Sequence, residues 1–292
     1  MYNLIKSAFV ILFILILQFA IYLLFLKPII TTWGASSNEV SMPMAGDKKN
    51  LMIASTRTIL INAPKSEVWK WLIQLGADRG GFYSYTFIEK ALGYKTRYQD
   101  MNKPEFNDIK VGDIIRGSVN EENSIIPYNF KVLYVKPEDT FVLENWGTFL
   151  LEKVNDQQTR LVIRTQEVKA PNLLLKAANF IILPLHYIME RRMLLGIKMH
   201  VEKKSGIFFS QGKDLLWFFG IVISWFLIYF LVFIGRGFFQ SVFVPVFFSV
   251  FWVLVVLLLN PTPFYSSVLL LSLCLIVLNI VLMRIKKRND AS

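Results

Sequence analysis

A single cysteine and two histidines among 292 residues remove several chemistries at once. Cys274 alone supports neither an internal disulfide nor a cysteine-based metal site. His186 and His200 are too few for a histidine-rich metal centre, and no metal or cofactor is expected. No serine–histidine–carboxylate set is legible, because Ser66, Ser84 and Ser118 have no base close in sequence, although folding can supply one. The chain carries a net charge of +11, but no groove-reading motif accompanies it, so nucleic acid is not expected as a partner. Acidic residues are missing from every long apolar run, which counts against a proton-coupled transporter.

What the chain has in abundance is hydrophobic sequence, 54% of its residues, gathered into blocks. A run of about 18 or more apolar residues is long enough to cross a bilayer core. Four segments qualify: residues 4–26, 215–234, 242–259 and 265–283. The first is too long for a signal-peptide core, and "TTWGAS" after it is a poor cleavage site, so it reads as an uncleaved anchor. "NPTPF" between the last two runs reads as a tight turn, making them a hairpin. The uncharged polar residues inside the runs (Gln18, Ser224, Ser249, Ser272 and Asn279) are the kind that pack helices together.

Four spans put both termini on one side, together with Lys6, Arg236 and the tail "RIKKR". The positive-inside rule places that side in the cytoplasm of a multi-pass cell-membrane protein and the large domain outside it. The basic flanks Lys27, Lys198, Lys203 and Lys204 pull the other way. Residues 160–204 hold nine basic and three acidic residues. Beside membrane spans, such an excess suits anionic headgroups.

The organisation expected is therefore an N-terminal anchor (1–30), a linker (31–54), a soluble domain (55–206) and three C-terminal spans (207–292). In the domain, "STRTILINAP" reads as a strand closed by Pro64. In "KSEVWKWLIQLG", Val68, Trp71, Leu72 and Leu75 recur at helical spacing, with Lys65, Lys70 and Gln74 expected to face water. "QLGADRGGFYSY" is then a corner between two helices rather than a phosphate loop, since no Lys-Ser/Thr follows its glycines. Hairpin turns at 137–139 and 155–157 imply consecutive antiparallel strands. Pro184 is expected to open a long last helix that Gly206 caps.

These residues resemble a family. "TRTILINAPKSEVWKWLIQLG" followed by "RGGFYSY" is similar to the start of START-like, helix-grip (SRPBCC) proteins of the polyketide cyclase/dehydrase type. "WGASSNEVSMPMAGD", "VGDII" and "HYIMERRMLLGIK" resemble a membrane-anchored bacterial subgroup. The likeness covers roughly residues 33–204. It implies an α+β helix-grip fold: a curved antiparallel sheet around a long C-terminal helix, here joined to about four transmembrane helices. It implies no single activity, because the superfamily includes lipid carriers, receptors and cyclases.

The ligand-contact candidates are Arg79, Tyr83, Tyr85, Trp146, Arg164, His186 and Met189. Asp78 and Arg79 read as a substrate pair or a helix-corner ion pair. Tyr83 and Tyr85 line a cavity or fill a core, and Trp146 is a packing or cavity ring. Arg164 shares a strand face with Arg160 and Val162. If that face is concave, Arg164 is a buried cation awaiting an anionic head; if convex, it is solvated. His186 and Glu190 at i, i+4 suit acid–base work or a structural cluster with Arg191 and Arg192. No catalytic residue is assigned. The function expected is binding of a lipid or other hydrophobic small molecule in an internal cavity beside the membrane. The alternatives are a cyclase- or dehydratase-like enzyme, or a sensor or assembly subunit with a membrane-protein partner.

Overall fold

β-Branched residues alternating along "STRTILI" form the long outer strand β1 (Met52–Ile61), and Pro64 then stands as N-cap of helix α4 (Lys65–Leu72). Three helices precede β1: the long α1 (Tyr2–Ile21), the short α2 (Lys27–Thr31) after a π-helical turn at Tyr22–Leu26, and the short α3 (Ser37–Ser41). After α4 come α5 (Thr86–Ala91) and five strands. These are β2 (Ile114–Arg116), β3 (Asn129–Lys136), β4 (Thr140–Leu143), β5 (Gly147–Asn155) and β6 (Gln158–Glu167). The chain closes with α6 (Leu173–Val201), α7 (Gln211–Ile234), α8 (Val244–Leu258) and α9 (Pro263–Asn289). This computed structural model describes residues 2–94, 103–119, 129–167, 172–203, 210–258 and 263–290. The expected cap at Gly206, and residues 260–262 of the expected membrane turn, lie outside the described residues.

The chain divides into two compact units, Ile29–Gln211 and Met1–Pro28 with Gly212–Ser292. In the first, six strands form one antiparallel sheet in the order β1-β6-β5-β4-β3-β2. β1 therefore pairs with the last strand, and the remainder is a meander of hairpins. The turns fall where the sequence places them, at Glu138 and at Asn155–Gln158. One core joins the inner face of the sheet to α4 and α6. Its members include Phe141, Phe149, Leu161 and Ile163 from strands, Val68 and Leu72 from α4, and Leu194 and Ile197 from α6. Burying each such side chain contributes about 1.5–3 kcal/mol.

Two expectations are corrected. The last helix starts at Leu173, so Pro184 lies inside it. A proline inside a helix gives up one backbone hydrogen bond and kinks the helix without always ending it. Residues 190–197 of α6 are buried on every side, so no single apolar stripe exists there to be read. Gln74 does not face water. It is 1% exposed, and its amide both donates to the Lys103 carbonyl (2.9 Å) and accepts from the Lys103 N–H (3.2 Å).

The linker stretch is a bound part of this unit. Ser36 and Glu39 form a reciprocal capping box at α3. Glu39 also receives two bonds from Arg160 (2.6 and 2.8 Å). The backbone then crosses the outer face of the sheet at Gly46, where a Cβ would overlap the Thr148 hydroxyl.

The second unit holds four helices long and apolar enough to cross a membrane: Leu4–Thr31, Gln211–Ile234, Phe239–Leu258 and Ser267–Arg288. Two of the anticipated polar side chains, Gln18 and Ser224, join helices. Gln18 donates to the Ser249 carbonyl (3.3 Å) and accepts from the Tyr229 hydroxyl (3.3 Å), and Trp252 donates to Ser224 Oγ (3.1 Å). Ser272 and Asn279 lie on the exposed side of α9.

Candidate functional site

The glycine corner shows first what the site is not. Gly76 (φ +138°) and Gly81 (φ +81°) adopt backbone angles that side-chain-bearing residues rarely reach. They exchange both backbone hydrogen bonds (3.2 and 2.9 Å), while the Gly80 N–H donates to the Gln74 carbonyl (2.7 Å). These amides are spent inside the loop, so they form no phosphate cradle. Arg79 lies over the Phe106 ring (5.2 Å) and donates to the Ile73 carbonyl (3.3 Å). Burial lowers its pKa, against the opposing charges of Asp78 and Asp113. The nearest cation to Asp78 that forms an ion pair is Arg116, at 3.9 Å.

From this corner the chain turns inward. Tyr83 takes a left-handed conformation (φ +54°), strain of a kind that persists only where the surroundings enforce it. Its carbonyl accepts from Arg192 Nη1 (2.9 Å), and its ring meets Trp71 and His200. Helix α6 approaches this backbone at Gly196, where a Cβ would come within 2.6 Å of the Tyr83 carbonyl. Tyr83 and Tyr85 are each 1% exposed. A side chain that lined a ligand-sized hollow would present accessible surface to it. These two, and the core residues Phe141, Phe149, Ile163 and Leu194, present almost none. Among the described residues, the glycine corner and the centre of the sheet are closed by packing.

Arg164 is neither solvated nor directed at a ligand. All five of its N–H groups are engaged: with Thr56 Oγ1, with the carbonyls of Met42, Glu39 and Val40, and with Asp47. It sits on the face of β6 opposite Leu161 and Ile163, and the chain of residues 39–47 covers it. Trp146 packs among Phe82, Phe130 and Phe149, with ring centroids 4.8–5.5 Å apart.

The remaining candidates meet around α6. Arg57 projects from β1 on the side of Ile59 and Ile61 and is fully buried. It forms an ion pair with Glu190 (2.8 Å), both side chains being almost wholly inaccessible. Its Nε donates to the Ile30 carbonyl (2.7 Å). His186 lies between the two, 3.5 Å from Arg57 Nη1 and 3.5 Å from Glu190 Oε2. Arg57 lies over the Tyr187 ring (5.1 Å), and Arg191 donates to the Tyr187 hydroxyl (2.8 Å). Ser84 donates to the Met189 carbonyl (2.9 Å), tying the corner to the same stretch of helix. Two buried atoms here, Arg57 Nη2 and Glu190 Oε2, have no hydrogen-bond partner among the described residues.

The electrostatics follow from that enclosure. Burial lowers the His186 pKa; Glu190 acts to raise it and Arg57 adds to the lowering. The ring is therefore neutral at pH 7. Burial also raises the Tyr187 hydroxyl, against the opposing effect of Arg191 and Arg57. Leaving a buried donor unmatched costs about 1–3 kcal/mol. A buried ion pair is itself weak evidence of stabilisation, since desolvation offsets much of its attraction. His186 keeps 39% of its side-chain surface accessible and so forms the outer edge of the cluster. Leu183, Leu185, Ile188 and Met189 beside it are only partly buried.

Of the sequence candidates, His186 and Met189 share one stretch of α6, while Tyr83 and Tyr85 meet that helix at Arg192, through the Tyr83 carbonyl (2.9 Å) and through the Tyr85 ring under the guanidinium (5.7 Å). Arg79, Trp146 and Arg164 lie elsewhere. The sequence reading missed Arg57, although period two along "RTILI" aligns it with Ile59 and Ile61 on the apolar face. No group of three or more potential metal-ligating side chains occurs among the described residues. No protein-family model, curated protein or solved structure matches the chain.

Proposed function

We propose that this is a membrane-anchored ligand-binding protein whose sheet-and-helix unit is a helix-grip, START-like module for a lipid or other hydrophobic small molecule. The observation that carries the reading is the buried Arg57–Glu190 pair, with an Arg57 N–H unmatched among the described residues and a half-accessible His186 at its edge. A hydroxyl, carbonyl or carboxylate on an otherwise apolar ligand supplies the missing acceptor. The partly buried apolar side chains of α6 take its hydrocarbon. The strand order and the packing of α6 against β1 agree with the helix-grip arrangement. A membrane tether suits this cargo, because apolar surface exposed to water costs about 25 cal/mol per Å².

Organic extraction of the purified full-length protein, followed by mass spectrometry, tests the reading. One hydrophobic species is expected in near-stoichiometric amount. His186→Ala should deplete it, whereas substitution of cations in the membrane helices should not. A protein that yields no such species, or one whose species is indifferent to His186, refutes the reading.

The convergence of Arg57, His186 and Glu190 favours a second reading, a cyclase- or dehydratase-like enzyme in which neutral His186 takes a proton and Glu190 orients the ring. Its signature is a bound molecule that loses water or closes a ring during incubation and stays intact on Glu190→Gln.

A further inference from the structure

The membrane unit contains a cleft of about 260 Å³ that the foregoing function does not use. It opens where α1, the end of α7 and the loop into α8 meet. Its walls carry Lys6 and Ser7 from α1, Phe233 from α7, Arg236 from the loop, and Ser241. The loop is tightly drawn. The Arg236 N–H donates to Gln240 Oε1 (3.1 Å), Ser241 Oγ donates to the Gly237 carbonyl (2.6 Å), and a Cβ on Gly235 would come within 2.6 Å of the Gln240 backbone. One helix ends at this loop and another begins, so their dipoles oppose one another. The sign of the site is therefore set by its two side-chain cations.

Neither Lys6 nor Arg236 forms an ion pair with a carboxylate among the described residues, and both are exposed. The unit has eight basic residues and only two acidic ones, Asp214 and Asp290. The cleft floor is apolar at Val10 and Val232. Phe233 on its wall is exposed, as are Ile5, Phe9, Phe238 and Phe239, which lie close in sequence to its lining residues.

We infer that this cleft is a binding site for the phosphate head of an anionic phospholipid. A volume near 260 Å³ is too small for a whole lipid. It suits a phosphate with its first few neighbouring atoms, since a water takes about 30 Å³. Two cations give the charge match, as basic pockets at the ends of membrane helices do for anionic heads. The exposed phenylalanines lie along the acyl chains. A free phosphate shares the head-group chemistry but makes no use of that apolar rim.

Full-length protein, delipidated in mild detergent, is titrated separately with dioleoyl phosphatidylglycerol, dioleoyl phosphatidylcholine and inorganic phosphate, and adducts are counted by native mass spectrometry. One saturable phosphatidylglycerol is expected, with phosphatidylcholine weaker and phosphate unable to displace it at matched concentration. Replacing Lys6 and Arg236 together by alanine should weaken phosphatidylglycerol binding roughly thirtyfold, while Lys6→Arg with Arg236→Lys retains it. Equal uptake of the two lipids by the unaltered protein overturns the inference without reliance on any variant. So does displacement by phosphate, or a folded double-alanine protein that binds as before. None of these results bears on ligand retention at His186.

Discussion

At the scale of single residues, the ring of His186 offers the most direct readout of the buried cluster. Arg57 and Glu190 are the charges that face it, at 3.5 Å each. Its folded pKa lies below the ordinary 6.5, with burial as the leading cause. The unfolded chain therefore takes up a proton near pH 6.5 while the folded protein does not. Stability is full above that value and declines as pH falls through the window between the unfolded and folded pKa values. Melting temperature measured from about pH 8 to pH 5.5 should fall for the unaltered protein. His186→Gln should flatten that part of the profile, and parallel profiles would show that His186 does not titrate as argued. Arg57, which sets this environment, was legible in principle: strand alternation puts it on the apolar face. What the sequence did not disclose is that Glu190, 133 positions later, would meet it there. Long-range pairing depends on register and helix rotation, which one sequence does not specify.

At the scale of elements, the segment of residues 36–47 acts as a strap, and its hold rests on two arginines of β6. Arg164 donates four bonds into it, and Arg160 grips Glu39 through both carboxylate oxygens. Burial acts to raise the Glu39 pKa, but the bonds from Arg160 and from Ser36 outweigh it, and the net value is below 4.5. A depressed carboxylate contributes stability above its unfolded pKa, and that contribution fades as pH falls through the folded value. Arg164→Met strands the Met42, Glu39 and Val40 carbonyls and the Asp47 carboxylate. We expect a loss of about 3 kcal/mol or more in urea unfolding near pH 7, together with early proteolysis within residues 36–47. Glu39→Gln should cost less near pH 7 and converge with the unaltered protein once the pH has fallen below the lowered folded pKa of Glu39. A loss under about 0.5 kcal/mol for Arg164→Met would show that the strap is not fastened there. Helix α4, the hairpin turns and the antiparallel run of β3 to β6 were readable because each rests on local periodicity and turn residues; the pairing of β1 with β6 and the start of α6 were not. The strap was not, because Gly, Ser, Pro and charge also compose free linkers. Its binding is visible only once Arg164 and Thr148 share a sheet face. The same limit applied to Arg164 itself. Both sequence readings took its face of β6 to be either a ligand wall or bare surface, and a polypeptide covers it instead.

At the scale of the whole molecule, the open question is which side of a membrane each end of the chain occupies. The four apolar helices were legible from run length alone, and the structure bounds them within a few residues of the sequence reading. If all four cross a bilayer, the two termini share one side and the segment between the first and second crossings lies on the other. Short loops decide orientation because their cations resist transfer across the bilayer, whereas long domains cross largely regardless of charge. Arg236 and the tail cations Arg284, Lys286, Lys287 and Arg288 all belong to the terminal side. We therefore expect the termini in the cytoplasm and the β-sheet unit outside. Cys274, the one native thiol, is fully buried, so introduced cysteines should report without interference. Asp156→Cys, in an exposed hairpin turn, should react with an impermeant maleimide in intact cells. Asp290→Cys should react only after permeabilisation. The reverse pattern would put the sheet in the cytoplasm, where the basic flanks Lys27 and Lys198 would then govern insertion. It would also move the Lys6–Arg236 cleft to the opposite leaflet, so the same labelling decides which lipid pool that cleft samples.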